Sequence, residues 1–319
     1  MRVDFWNIGQ GDASSICWEE ADGGTEHLDL IDIGPAGTTQ LSEYFVPRAR
    51  VRSWQIDNLI LTHNDSDHIG GLTWLKGKAS EVNVGRVFFL DDWQGKPERK
   101  DSLAWFIRMA GAGNALRLEA PMTIARHGDY SLVLLYPPLQ EGFRNGSLPN
   151  NISGVLALKW RDMPLIMWGG DNRLKALAGV APHGPVWLFG PHHGAPQDRD
   201  KKSFPSIVSA IGPRNCLLSF GTQNGYGHPS PQYIGALRTA NCNITCLQQA
   251  RQCAAKGDGE GLNGDGALGM WSPPPPAIQC HGHVRLQITD GQIQDELETE
   301  YAEAKAEMGK RLCAPLPES

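Results

Sequence analysis

The sequence predicts a layered α/β fold, with two mixed β-sheets packed face to face and helices on their outer surfaces. Three observations point to it. Short apolar runs of strand length outnumber the helical stretches and alternate with them along the chain. Several of these runs end in an aspartate or histidine next to glycine, the pattern of strands that stop at a ligand-bearing edge. No stretch of about 18 apolar residues interrupts the alternation, so no membrane span is expected. Such a chain buries one face of each sheet against the other and the second face beneath helices.

In chain order, strands are expected over Arg2–Asn7, Ser14–Trp18, Leu28–Ile33, Asn58–Thr62, Arg86–Leu90, Ser131–Leu135, Gly154–Trp160, Leu165–Trp168, Val186–Phe189, Cys216–Ser219, Ile244–Leu247 and His283–Ile288. Helices are expected over Leu41–Phe45, Leu72–Lys76, Ser102–Ala112, Leu174–Ala178, Lys201–Ile211, Pro231–Thr239 and Asp295–Leu312. Residues 1–295 read as one domain that carries a Cys-, Gly- and Pro-rich insertion at about 248–280. Residues 296–319 read as a charged C-terminal helix and tail. The glutamates and lysines of that tail flank only a thin apolar stripe, so it is expected to lie on the surface.

Composition narrows the partners. The net charge of −6 argues against an extended basic face for gripping duplex DNA. Local basic groups exist at Arg48/Arg50/Arg52, Lys96/Arg99/Lys100 and Arg199/Lys201/Lys202. Met1-Arg2-Val3-Asp4-Phe5-Trp6 enters a strand without a leader, and seven cysteines is an odd count. A cytoplasmic chain with mostly free thiols is the expectation. Cys17 and Cys216 read as core. Cys242, Cys246, Cys253 and Cys280 form a possible structural zinc set, although their spacing fits no standard knuckle.

The chemistry concentrates at His63-Asn64-Asp65-Ser66-Asp67-His68. An apolar strand precedes it and the small-residue run Ile69-Gly70-Gly71 follows, so two imidazoles and two carboxylates arrive at a strand's C-terminal end. Carboxylates removed from water without a partner cost several kcal/mol or more. A pair of metal ions satisfies all four groups, whereas an exposed capping turn would not need apolar flanks. Asp171 follows the strand ending at Trp168, His192 and His193 follow the strand ending at Phe189, and Asp32 sits in Leu30-Ile31-Asp32-Ile33-Gly34. Two cations about 3.5–4 Å apart need a bridging carboxylate with His or Asp on both sides. His63, Asp65, Asp67, His68, Asp171 and one of His192 and His193 meet that need.

The succession Gly9-Gln10-Gly11-Asp12-Ala13, Asp32-Ile33-Gly34, His63-x-Asp65-x-Asp67-His68-Ile69-Gly70-Gly71, Asn150-Asn151-x-Ser153, Gly169-Gly170-Asp171, Pro191-His192-His193-Gly194 and Gly225-Tyr226-Gly227-His228-Pro229-Ser230 resembles the metallo-β-lactamase superfamily. Within it, the chain is similar to the branch typified by the soluble domain of the ComEC competence channel. The resemblance runs from about residue 2 to about residue 240, with a closing strand near residue 285. It implies an αββα four-layer sandwich with the active site where loops of both sheets meet. It also implies two divalent metal ions, Mn²⁺ or Zn²⁺, with Mg²⁺ as a further option. Most superfamily members carry His where Asp65 stands, and a further His is replaced here at about Asn151. Carboxylate and amide make the ligand set harder and shift preference from zinc towards manganese or magnesium.

On this reading Asp171 bridges the metals. His63, Asp65 and His193 (or His192) hold one, and Asp67 and His68 hold the other. Asp67 also orients or deprotonates the attacking water. Asp32 fixes a ligand histidine, Asp12 braces the Gly9-Gln10-Gly11 turn, and Asn151 and Ser153 hold the metal-edge loop or a phosphate oxygen. His228 contacts the scissile phosphate or protonates the leaving oxygen. The expected activity is that of a metal-dependent phosphodiesterase or nuclease acting on single-stranded nucleic acid or small phosphodiesters through a metal-activated water. The alternatives are hydrolysis of another ester or amide (lactone, thioester, lactam) and a non-catalytic regulatory module.

The departure at Asp65 yields a test. Asp65→His should lower the ratio of activity with Mn²⁺ to activity with Zn²⁺, because it restores the softer donor. An unchanged ratio would remove Asp65 from the ligand set.

Overall fold

A computed structural model of the chain describes residues 1–18, 27–35, 54–78, 80, 82–90, 97–111, 113–137, 152–181, 184–195, 204–221, 224–248 and 284–295. The first sheet contains β1 (Arg2–Phe5), β2 (Ala13–Trp18), β3 (His27–Ile33), β4 (Trp54–Ile60), β5 (Val82–Phe89), β6 (Ala115–Arg117), β14 (Val284–Thr289) and β15 (Gln292–Asp295). Its strand order is β15-β14-β1-β2-β3-β4-β5-β6. The second contains β7 (Met122–His127), β8 (Tyr130–Tyr136), β9 (Val155–Trp160), β10 (Met163–Trp168), β11 (Trp187–Phe189), β12 (Asn215–Leu218) and β13 (Asn243–Cys246), ordered β13-β12-β11-β10-β9-β8-β7. Both sheets are mixed. In the first, pairing is antiparallel from β15 to β3 and parallel from β3 to β6. In the second, it is antiparallel from β7 to β10 and parallel from β10 to β13.

Among the described residues, six α-helices cover the outer faces: α1 (Ser66–Ile69), α2 (Leu72–Gly77), α3 (Pro97–Ala110), α4 (Leu174–Val180), α5 (Phe204–Ile211) and α6 (Pro231–Thr239). The last of these begins by a clear local rule. Ser230 caps it by accepting from the Tyr233 N–H at 3.2 Å, and Pro231 occupies the first turn, where its missing N–H costs nothing.

Three apolar layers hold the sandwich. Phe5, Ile16, Ile31, Ile60, Leu158, Ile166 and Trp168 fill the space between the sheets. Ile33, Leu61, Ile69, Leu72 and Phe106 pack the first sheet against its helices. Met167, Leu188, Phe204, Val208, Tyr233 and Leu237 do so for the second. The two mixed sheets with flanking helices are those of the expected metallo-β-lactamase fold. Among the described residues, no helix is long and apolar enough to cross a membrane.

Three strands escape the sequence reading, β6, β7 and β15, and all three are sheet edges. Asp295, expected to open a helix, instead closes β15 against Leu286. The remainder of that helix, the tail 296–319, the helix over 41–45 and nearly all of the 248–280 insertion lie outside the described residues. So do the side chains of the three basic groups, together with Cys253 and Cys280. Cys17, Cys216, Cys242 and Cys246 are buried free thiols, the last three within the layer beneath α5 and α6.

A fully buried polar contact crosses the central layer. The Trp168 indole N–H donates to Ser14 Oγ at 2.8 Å, tying β10 to β2 one turn ahead of Asp171. Ser14→Ala leaves that buried N–H unpaired and should cost about 1–3 kcal/mol of unfolding free energy. Denaturant unfolding checks this: the midpoint should fall at unchanged slope, and an unchanged midpoint would mean the contact is dispensable.

Candidate metal centre

The C-terminal ends of β3, β4, β10, β11 and β12 open on one edge of the sandwich, because β3–β4 and β10–β12 run parallel. Asp32 ends β3, His63 follows β4, Asp171 follows β10, and His192 and His193 follow β11. The short α1 brings Asp67 and His68 back towards them. Backbone bonds fix this edge: Gly154 N–H donates to Thr62 O at 2.7 Å, Asp12 N–H to Asp67 O at 3.1 Å and His192 N–H to Gly170 O at 2.8 Å.

Asp171 lies at the centre, only 3% exposed. Its Oδ1 is 3.1 Å from His68 Nε2 and 3.7 Å from His193 Nε2. Its Oδ2 is 3.4 Å from His63 Nε2 and 3.7 Å from His192 Nε2. Each carboxylate oxygen therefore faces its own pair of imidazoles. Asp65 adds an oxygen 3.7 Å from His63 Nε2, and Asp67 adds one 3.2 Å from His193 Nε2.

Two of these placements differ from the expected pattern. The place beside His63 and Asp65, expected for either His193 or His192, is taken by His192, and His193 lies on the Asp67/His68 side, where neither is expected. The cause is backbone conformation. His192 and His193 are both left-handed (φ 50° and 54°) and Gly194 follows at φ 77°. Consecutive left-handed residues turn the two adjacent rings to opposite oxygens of Asp171, at a strain of about 1–3 kcal/mol per non-glycine residue. The second difference is Asp12. Its side chain reaches His193 Nδ1 at 3.3 Å instead of bracing the glycine turn.

Supporting contacts orient the rings. Asp32 Oδ2 lies 2.8 Å from His68 Nδ1, and the same carboxylate accepts from the Thr62 N–H at 2.8 Å and the Thr62 hydroxyl at 2.7 Å. Ser153 Oγ accepts from the Asp171 N–H at 3.0 Å and sits 3.3 Å from His63 Nδ1. It thus holds the loop and faces no open space. A Cβ at Gly170 (φ 50°) would collide with that hydroxyl, so glycine is required there. His193 Nδ1 reaches the Ser219 carbonyl at 2.8 Å. Asn151 lies outside the described residues. Thr62, Asn172 and Ser219 are supports that sequence reasoning missed. Asn172 donates to Ser153 O at 3.0 Å, and its place directly after Asp171 was the available signal.

His228 stands at the rim, 8% exposed, its ring 5.8 Å from His192 and 6.4 Å from His193. Asn224 pins its loop, accepting from the His228 N–H at 2.8 Å and donating to the His228 carbonyl at 2.9 Å.

The donors fit a divalent cation. His63 Nε2 and His68 Nε2 are buried and make no hydrogen bond. Ligand atoms of His63, His68 and Asp171 lie within 4.8 Å of one another, as do those of Asp67, His68 and His193. Without a cation, protons compensate the charge. Burial opposes the cationic form of His68 and His193. Asp171 and Asp32 nevertheless hold His68 well above its ordinary value, and Asp12 and Asp171 do the same for His193. Asp171 resists the upward pull of burial and is held well below the carboxylate range by His68, His193 and His63. His192 is pushed down by burial and by the His193, His68 and His63 imidazoles, against the upward pull of Asp171.

The pH dependence follows from these directions. The raised His68 and His193 stabilise the metal-free fold fully below about pH 6.5, and this is lost as pH climbs through their raised values. The lowered Asp171 stabilises it above about pH 4, and that is lost only as pH falls through its depressed value. A cation must displace the histidine protons, so the rise in Tm on adding Mn²⁺ to chelator-treated protein should be larger at pH 8 than at pH 6. A larger rise at pH 6 would show that these imidazoles are not ligands.

A model of the metallo-beta-lactamase superfamily matches residues 20–198, more than half of the chain. No curated protein matches it. Solved structures similar to it include the metallo-beta-lactamase fold protein YhfI from Bacillus subtilis, at 11% identity and a TM-score of 0.48, covering 76% of this chain and 96% of that one. Igni18, a metallo hydrolase from Ignicoccus hospitalis, is similar at 13% identity and a TM-score of 0.45, with 77% and 95% covered. A long form RNase Z from yeast is similar at 9% identity and a TM-score of 0.39, with 72% and 38% covered. By the extent of the family match, this chain belongs to the metallo-beta-lactamase superfamily.

Proposed function

We propose that the chain is a binuclear metal-dependent phosphodiesterase of the ComEC-like branch, acting on single-stranded nucleic acid or small phosphodiesters. The observation that carries this reading is the division of imidazoles around Asp171, two for each carboxylate oxygen. His63, Asp65 and His192 would hold one cation, and Asp67, His68 and His193 the other, with Asp171 shared. A bound divalent pair polarises a phosphoryl oxygen and lowers the pKa of water. Asp65 in place of histidine supports the branch and a preference for Mn²⁺ over Zn²⁺.

The chain's own groups divide the remaining work. Asp32 and Thr62 keep the His68 ring in one orientation, and Ser153 does so for His63 and Asp171. Asp67 resists burial and is lowered below the carboxylate range by His193 and His68, so it stays ionised to orient a water or take its proton. His228 is held at about 4 by burial and by His192 and His193. It is therefore neutral near pH 7 and serves as a hydrogen-bond donor to a phosphoryl oxygen rather than as a proton-donating acid.

The test uses bis-p-nitrophenyl phosphate with Mn²⁺, alongside nitrocefin and a thioester. Wild type should turn over the diester in preference. Asp171→Ala should lose more than the roughly 10–100-fold that removal of a supporting partner costs, with its circular dichroism unchanged. Near-full activity in the variant would place the site elsewhere. Preference for nitrocefin or the thioester would replace the phosphodiesterase reading with one of those hydrolases.

A further inference from the structure

The loop that carries His228 also carries an aromatic ring that the mechanism does not use. Tyr226 is 75% exposed, one of three large apolar side chains left open to solvent among the described residues. The other two, Met109 and Met163, lie away from the site at the end of α3 and the start of β10. Tyr226 is not a loose surface ring. It stacks on His228 with 5.7 Å between centroids and 14° between planes, and His228 in turn meets His192 edge-on at 5.8 Å. A short aromatic column therefore runs from solvent to the metal-ligating histidines.

The column is held in place. Asn224 closes the loop through its bonds to the His228 N–H and carbonyl, and it also donates to Gly221 O at 2.6 Å. Gly227 takes a left-handed turn (φ 72°) that lets the chain double back between the two rings. One face of Tyr226 is against His228, so the exposure belongs to the opposite face and the edge. An aromatic face presented at low entropic cost beside a phosphate-handling centre suits a planar partner.

We propose that Tyr226 is a base-stacking subsite, engaging the nucleobase of a nucleotide that flanks the scissile phosphodiester in a single strand. The proposal rests on the phosphodiesterase reading and narrows its substrate class. Tyr226 lies outward of His228, so the base it meets belongs to a neighbouring nucleotide and not to the one cleaved beside the metals. Every base offers a π-face, so the contact selects single-stranded chain over simple diesters without reading sequence. A base inside a duplex is already stacked on both sides and must first be extruded to reach the ring.

The experiment compares two labelled tetranucleotides of equal charge, tetrathymidylate and the same chain with its flanking positions abasic. Each is assayed with Mn²⁺ on wild type, Tyr226→Ala and Tyr226→Phe. Tyr226→Ala should lose about tenfold in kcat/KM on tetrathymidylate and nothing on the abasic chain. Tyr226→Phe should retain wild-type rates, because the ring and not the hydroxyl is used. Equal losses on both tetranucleotides would overturn the proposal and make Tyr226 a support for His228. No loss on either would overturn it as well. If wild type cleaves neither chain nor bis-p-nitrophenyl phosphate while binding metal, the phosphodiesterase reading fails by itself. Fluorescence anisotropy of the same tetranucleotides on wild type and Tyr226→Ala then decides the stacking: weaker binding of tetrathymidylate alone upholds it, and equal binding overturns it.

Discussion

A single buried carboxylate organises this end of the molecule. Asp171 has lost nearly all contact with water, and an ion in that position demands compensating positive charge. Four imidazoles face it, two on each oxygen, and the raised His63, His68 and His193 supply that charge. Their own second nitrogens or neighbouring atoms are then held by Asp32, Thr62, Ser153, Asp12 and the Ser219 carbonyl. The arrangement is a set of nested pairings: a carboxylate stands behind the His68 ring, a carboxylate and a carbonyl behind His193, and the Thr62 and Ser153 hydroxyls behind His63. Protons and metal ions compete for the same positions, so the charge that holds the centre together without metal is the charge a cation would replace.

Sheet topology makes this convergence inexpensive. Each sheet changes from antiparallel to parallel pairing partway across, and the parallel strands send their C-terminal ends to a common edge. Asp32 and His63 need only follow β3 and β4, and Asp171 and the histidine pair only β10 and β11. No long excursion is needed to assemble the ligand set. The indole of Trp168 bonded to Ser14 keeps the two contributing sheets in one relative position immediately ahead of Asp171.

Much of this was legible in the sequence, and the exceptions have physical causes. Runs such as Leu156–Leu158 and Leu165–Trp168 are buried on both faces, so they read as continuous apolar segments. β6, β7 and β15 were invisible because edge strands need no such run: β7 mixes Thr123, Arg126 and His127 with its apolar residues, and three of the four residues of β15 are polar. The acids and imidazoles were found because each stands at a strand end. Their pairing was not, because the division of His192 and His193 between two oxygens depends on φ angles that the residue names do not advertise. The partnership of Asp12 with His193 joins residues far apart in the chain, and no local pattern encodes it. Tyr226 reads in sequence as one more turn residue, and only its exposure and its neighbour distinguish it.

The candidate ligands are divided between the sheets: His63, Asp65, Asp67 and His68 from the first, Asp171, His192 and His193 from the second. A chain with only one sheet formed holds half a set of donors and cannot gather a cation pair. Assembly of the centre therefore requires both sheets to be docked against each other. A cation seated between the halves would act in return as a rivet through the sandwich, adding its binding free energy to the cohesion of the whole fold.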